Sequence, residues 1–242
     1  MRLFGRVVSV VVASSLLCGS GGATEEREAP TLSTFSIVAY DAEAEEWGVA
    51  VQSRVVGVGA IVPFAKAGVG AVATQALANM SFGPEGLEKL AAGTSANDVV
   101  RALREADPEA AHRQLGIVDA QGRAANFTGE KCLGWAGARI GRGYTVQGNL
   151  LEGRAVVDEM ARAFEQAKGE LGARLITALE AGQEAGGDRR GMQSAALLVV
   201  REGGGYAGQT DRYRDIRVDD HETPIAELRR IYDIHKKTFP EP

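Results

Sequence analysis

Four strand-like runs crowd into the stretch from Thr34 to Thr74, and this constrains the fold more than any other feature of the chain. Thr34 to Asp41 and Trp47 to Arg54 alternate apolar and polar residues on either side of a turn at Ala42 to Glu46. That period-2 pattern is the mark of an antiparallel hairpin. Val58 to Phe64 and Val69 to Thr74 are continuous apolar runs rich in Gly, Ala and Val, the composition of strands covered on both faces. Gly57, Gly59, Gly68 and Gly70 punctuate them where bulges or close backbone approach are expected.

A helical block follows. Pro84 suits a first helical turn, and Leu87, Leu90 and Ala91 share one face. Thr94 or Ser95 caps a second helix with Val99, Val100 and Leu103 facing inward. Strands return at Gln114 to Asp119 and Ala124 to Thr128, joined by Ala120-Gln121-Gly122, and then at Gly134 to Ile140 and Tyr144 to Val146. Helices are expected over 153–168 and 170–182, strands at Ala195 to Arg201 and Asp215 to Val218, and a closing helix from Pro224 to Lys236. Strands and helix pairs come in blocks rather than in strict alternation, which disfavours a doubly wound parallel sheet. The expected fold is α+β: a four-layer αββα sandwich of two antiparallel sheets flanked by helices.

Ahead of this domain, residues 1–23 read as a signal peptide. Arg2 and Arg6 precede the apolar run Val7 to Leu17, and Gly21-Gly22-Ala23 offers small residues for cleavage. The run is short of the about 20 apolar residues that span a bilayer. A secreted or periplasmic protein is expected, with no membrane insertion after signal removal. A lipoprotein anchored through Cys18 fits less well, because bulky Leu17 precedes it. Residues 24–33 are polar, contain Pro30 and show no periodicity, so they read as a linker or pro-segment. Residues 34–242 then form a single domain.

Composition narrows the chemistry. The net charge is −5, and the signal removes two Arg and no acid, which leaves −7. That excess of acid argues against nucleic acid as a partner. Of the two Cys, Cys132 alone would remain in the mature chain, so no disulfide framework forms. The three His, at 112, 221 and 235, stand apart from one another and from Cys132. A metal site is therefore not expected, and no cofactor is implied. Asp219-Asp220-His221 reads better as a polar loop before the last helix than as an acid–base pair. Gly203-Gly204-Gly205 lacks the strand–loop–helix frame and Lys of a phosphate loop. Homo-oligomerisation is left open.

Thr34 opens the first strand. If the chain were cut just before it, Thr34 would carry both a hydroxyl and a free α-amine, a nucleophile and its base in one residue. Without that cut it is an ordinary β-forming residue. Ser36, on the same face, is a weaker candidate, since it cannot become terminal without destroying the strand.

The segments Thr34-Phe35-Ser36-Ile37-Val38-Ala39, Trp47-Gly48-Val49-Ala50-Val51 and Gly68-Val69-Gly70-Ala71-Val72-Ala73-Thr74-Gln75 are joined by Gln114 to Asp119, Phe127-Thr128-Gly129, Val146-Gln147-Gly148-Asn149 and Val218-Asp219-Asp220-His221. Together, across residues 34–235, they resemble the domain of unknown function 1028 family. The resemblance implies the fold of N-terminal nucleophile (Ntn) hydrolases. It points to a secreted amidohydrolase that cleaves a small amide or peptide-like bond. In such chemistry the terminal α-amine, with an ordinary pKa of about 7.7 to 8.0, serves as general base. By the same resemblance Thr34 is the nucleophile and Lys66 supports it electrostatically, as a Lys at similar separation does in proteasome-type enzymes. Arg54, ending the second strand, could fix the Thr34 backbone or a substrate carboxylate. Gln75 and Asn149 could donate to an oxyanion. Plain readings stand beside each of these: a solvent-facing turn for Lys66, a salt bridge for Arg54, and turn or cap chemistry for Gln75 and Asn149. The rival to the whole is a non-catalytic envelope or ligand-binding module with the same fold.

Overall fold

A computed structural model describes residues 34–240. The expected signal peptide and linker lie outside the described residues. The strands are β1 (Thr34–Asp41), β2 (Glu46–Ser53), β3 (Pro63–Lys66), β4 (Gly70–Ala76), β5 (Arg113–Asp119), β6 (Ala124–Thr128), β7 (Trp135–Gly141), β8 (Tyr144–Leu151), β9 (Ser194–Val200) and β10 (Arg212–Val218). The helices are α1 (Phe82–Ala91), α2 (Ala96–Ala106), α3 (Ala155–Gln166), α4 (Leu171–Glu184) and α5 (Pro224–Thr238). Among the described residues no helix is long and apolar enough to cross a membrane.

The strands form two antiparallel sheets. One runs β10-β9-β2-β1-β8-β7 and the other β3-β4-β5-β6. Period-2 alternation sorts the side chains into layers. Phe35, Ile37 and Ala39 of β1 face α3, α4 and α5, in a core with Met160, Leu175 and Leu228. Val72, Leu115 and Ile117 of the smaller sheet pack under α1 and α2 with Val99 and Leu103. Val38, Val49, Val51, Ala71, Ala73 and Val118 meet between the sheets. The chain is therefore an αββα sandwich, as its element order implies.

Two local expectations need correction. Val58 to Phe64 is not a strand: it begins with a 3-10 turn at Val58–Ala60, and only Pro63–Lys66 pairs, at the sheet edge. Gly57 at φ 69° turns the backbone in a way that a side chain would resist. Val58 and Val62 are nonetheless fully buried, so the apolar run reports burial rather than strand. Second, β8 does not stop at Val146. It continues to Leu151 and carries Gln147, Gly148 and Asn149 inside the sheet.

Candidate functional site

β1 lies in the middle of the larger sheet, with Thr34 opposite Ser53 of β2 on one side and opposite Asn149 of β8 on the other. Strand parity points Thr34, Ser36, Ser53, Gln147 and Asn149 toward the smaller sheet. Gln75 of β4 and Gln114 of β5 point back at them. All seven are fully buried. The space between the sheets thus has an apolar half and a polar half, and the polar half lies at the Thr34 end.

The polar half is a continuous hydrogen-bonded network. Ser36 Oγ donates to Gln75 Oε1 at 2.6 Å and accepts from Gln147 Nε2 at 2.7 Å. Gln147 Oε1 accepts from Thr145 Oγ1 at 3.0 Å, which in turn accepts from Asn126 Nδ2 at 3.1 Å. Gln75 Nε2 donates to Gln114 Oε1 at 2.8 Å and reaches the Thr34 carbonyl at 3.4 Å. Gln114 is the hub: its Nε2 donates to the Gly148 carbonyl at 2.8 Å and to Thr128 Oγ1 at 2.9 Å. Its Oε1 also accepts from Asn149 Nδ2 at 3.2 Å. A fully buried aliphatic side chain contributes about 1.5–3 kcal/mol, whereas a buried polar group left unpaired costs about 1–3 kcal/mol. Filling half of an inter-sheet core with carboxamides therefore gives up stability that Leu or Val would supply.

Thr34 Oγ1 donates to Ser53 Oγ at 3.3 Å. Arg54, the next residue, is exposed and its Nη1 donates to Gln193 Oε1 at 3.1 Å. Its backbone N–H is held by the buried Asp188 carboxylate at 3.2 Å. Arg54, Met192, Gln193, His221 and Thr223 border an open cleft of about 450 Å³ beside this end of the sheet. His221 belongs to the loop before α5, where its Nδ1 accepts from the Thr223 N–H at 2.9 Å. Cys132 takes no part: its thiol donates to the Arg113 carbonyl, and burial raises its pKa, which disfavours the thiolate.

The structure brings together four of the five residues singled out in the sequence, namely Thr34, Arg54, Gln75 and Asn149. Lys66 is not among them. It ends β3, exposed, opposite Gly70, whereas Gln75 marks the Thr34 end of β4. Five residues of strand separate the two levels, about 17 Å. Spacing in sequence had suggested proximity, but the early 3-10 turn shifts β3 so that Lys66 emerges at the opposite end of the sandwich. Gln75 and Asn149 lie within strands rather than in turn or cap positions, and the Gln75 amide nitrogen is engaged with Gln114.

The family model DUF1028, a family of unknown function, matches residues 34–228. The chain belongs to the DUF1028 family. A crystal structure of a Silicibacter pomeroyi protein of the same family superposes with a TM-score of 0.77 at 30% identity, covering 85% of this chain and 90% of that one. The Anbu (ancestral beta-subunit) of Yersinia bercovieri aligns over 86% of this chain and 98% of its own, at 11% identity and a TM-score of 0.35, too loosely to carry an argument. No curated protein matches. The family match begins at Thr34 itself, the first residue of β1 in this DUF1028 chain.

Proposed function

We propose that this DUF1028 protein is an exported Ntn-type amidohydrolase whose nucleophile is Thr34 once the preceding residues have been removed. The observation that carries the reading is the position of Thr34. It opens a central strand on the inter-sheet face, beside Ser53 and Asn149, at one end of a buried polar interior. Removal of residues 1–33 would expose the Thr34 amine there. The hydroxyl would attack an amide carbonyl, and the amine would take the hydroxyl proton and return it to the departing nitrogen. Asn149, opposite Thr34 on β8, would meet the oxyanion by turning its amide from Gln114 toward the Thr34 end of the strands. Arg54, at the rim, would receive a substrate carboxylate. Lys66 has no part in this chemistry.

A second reading has its own support. Ser36, Gln75, Gln114 and Gln147 satisfy one another, and a self-contained polar core suits a binding module that performs no chemistry. Intact mass and N-terminal sequencing of the exported protein separate the two. The enzyme reading expects a chain beginning at Thr34, with hydrolysis in a broad amide screen that Thr34→Ala abolishes and Thr34→Ser partly keeps. A chain beginning near Thr24, with Thr34→Ala indistinguishable in the same screen, favours the module.

A further inference from the structure

A cleft of about 610 Å³ lies far from Thr34, between β10, the loop after β9 and the end of α5. Small-molecule sites typically occupy about 300–1,000 Å³. Its register places it at the other end of the larger sheet: Val200, opposite Arg212, pairs with Trp47, which pairs with Tyr40. That is six residues, about 20 Å, along β1 from Thr34.

A bulge builds the floor. The β9–β10 register shifts between Arg212 and Arg214, so the consecutive residues Tyr213 and Arg214 are both turned inward and buried. Bulges on edge strands often re-aim a side chain in this way. The Arg214 guanidinium stacks on the Tyr213 ring at 3.9 Å, and Arg201 stacks on the same ring, also at 3.9 Å. One ring is thus flanked by two cations. Arg214 donates to the Tyr213 hydroxyl at 2.7 Å and to the Phe239 carbonyl at 3.1 Å, and lies 3.2 Å from His235 Nδ1. Its Nε, buried, has no hydrogen-bond partner among the described residues.

Charge is short of balance around it. Arg201 is held on Glu46 at 3.1 Å, and Arg212 on Asp215. The carboxylate nearest Arg214 is Glu170, 3.7 Å away, and Glu170 is already engaged by Lys236 at 2.6 Å and by the Tyr232 hydroxyl at 2.7 Å. Two cations therefore share one carboxylate, in a setting where a buried guanidinium needs close pairing. At the mouth, the rings of Tyr206 (75% exposed) and Phe239 (44% exposed) meet edge to face at 6.3 Å. A solvated pair of this kind offers an apolar, aromatic corner to the ring of a ligand. Ala207, beside Tyr206, holds a left-handed φ of 52°, a conformation that costs a non-glycine residue about 1 kcal/mol or more.

We propose that this cleft binds a small aromatic anion, its carboxylate or phosphate on Arg214 and its ring against Tyr206 and Phe239. The site stands independently of any reaction at Thr34. Benzoate, phenyl phosphate, neutral benzamide and inorganic phosphate are the probes, followed through the arginine Nε–H resonances of the full-length protein. Arg214→Lys identifies the resonance, and Tyr206→Ala, on the surface, tests the aromatic wall without threatening the fold. Benzoate or phenyl phosphate should move the Arg214 Nε–H, whichever binds tighter naming the acid, with benzamide at least about tenfold weaker for want of a charge-assisted bond. Tyr206→Ala should weaken the aromatic anion about three- to tenfold and leave inorganic phosphate unchanged. The proposal falls if neither aromatic anion moves that resonance at about 10 mM, well above a dissociation constant of about 1 mM. It also falls if benzamide binds as well as benzoate, or if inorganic phosphate binds as well as phenyl phosphate.

Discussion

Ser36 and Gln75 belong to strands of different sheets, and their side chains close the gap between the sheets with a hydrogen bond of 2.6 Å. The Ser36 hydroxyl also accepts from Gln147 of its own sheet, so one small side chain ties two carboxamides together. Because all three residues are fully buried, no water is at hand to replace a lost partner.

Ser36→Ala should therefore cost more than one exposed hydrogen bond. It strands Gln75 Oε1 and weakens the hold on Gln147 Nε2, and each buried polar group left without a partner costs about 1–3 kcal/mol. Urea denaturation should show a lower midpoint at unchanged slope, corresponding to a loss of about 2–3 kcal/mol. A variant with the parental midpoint would show that the network contributes little.

Gly116 lies under the same network. A Cβ there would collide with the Gln147 carboxamide, so Gly116→Ala must push Gln147 out of its bonds with Ser36 and Thr145. Overpacking of this kind costs about 1–3 kcal/mol. Since Gly116 and Ser36 act on one carboxamide, the double variant should lose less than the two single losses combined.

Lys66 supplies the opposite expectation. It is exposed at a sheet edge, remote from Thr34. Lys66→Ala should change stability by no more than about 0.5 kcal/mol and leave any hydrolysis dependent on Thr34 intact. A loss of that activity would overturn the exclusion of Lys66 from the site.

The residues explain why some of this could be read in the sequence and some could not. Alternation along Thr34–Asp41 revealed a strand and the facing of Thr34 and Ser36, because period 2 is a local property. Blocks of strands and helices gave the layering. The glutamine network was not visible in the same way. Gln75, Gln114 and Gln147 are far apart in sequence, and a Gln inside a strand is equally compatible with solvent until two sheets are known to close over it. Parity was the available signal for two of them: Ala73 shares an inter-sheet face with Gln75, and Val118 with Gln114. Lys66 misled for the converse reason. Spacing along the chain says nothing of register once a 3-10 turn intervenes.

At the other end of the molecule, His235 should make the protein sensitive to mild acid. Burial depresses its pKa below the ordinary 6.5, and the positive charge of Arg214 adds to the effect. The neutral ring is then the form that fits beside Arg214 Nη1, where Nδ1 can accept. The sign follows from proton uptake. As pH falls through about 6.5 the unfolded chain takes up a proton that the folded chain still refuses, so stability falls with pH in that window. The contribution is present above 6.5 and is lost as pH drops toward the folded-state pKa. Glu170 works lower on the scale: burial alone would raise its pKa, but Lys236, Tyr232 and Arg214 outweigh that and lower it. Its contribution persists through the His235 window and fades only in stronger acid. His235→Gln keeps a side-chain acceptor for Arg214 but removes the titration. Its thermal midpoint should therefore fall less steeply than the parent's between about pH 6.5 and pH 5. Because His112 and His221 remain in both proteins, the difference in slope isolates His235. Parallel curves for parent and variant across that range would show that His235 is not the group responsible.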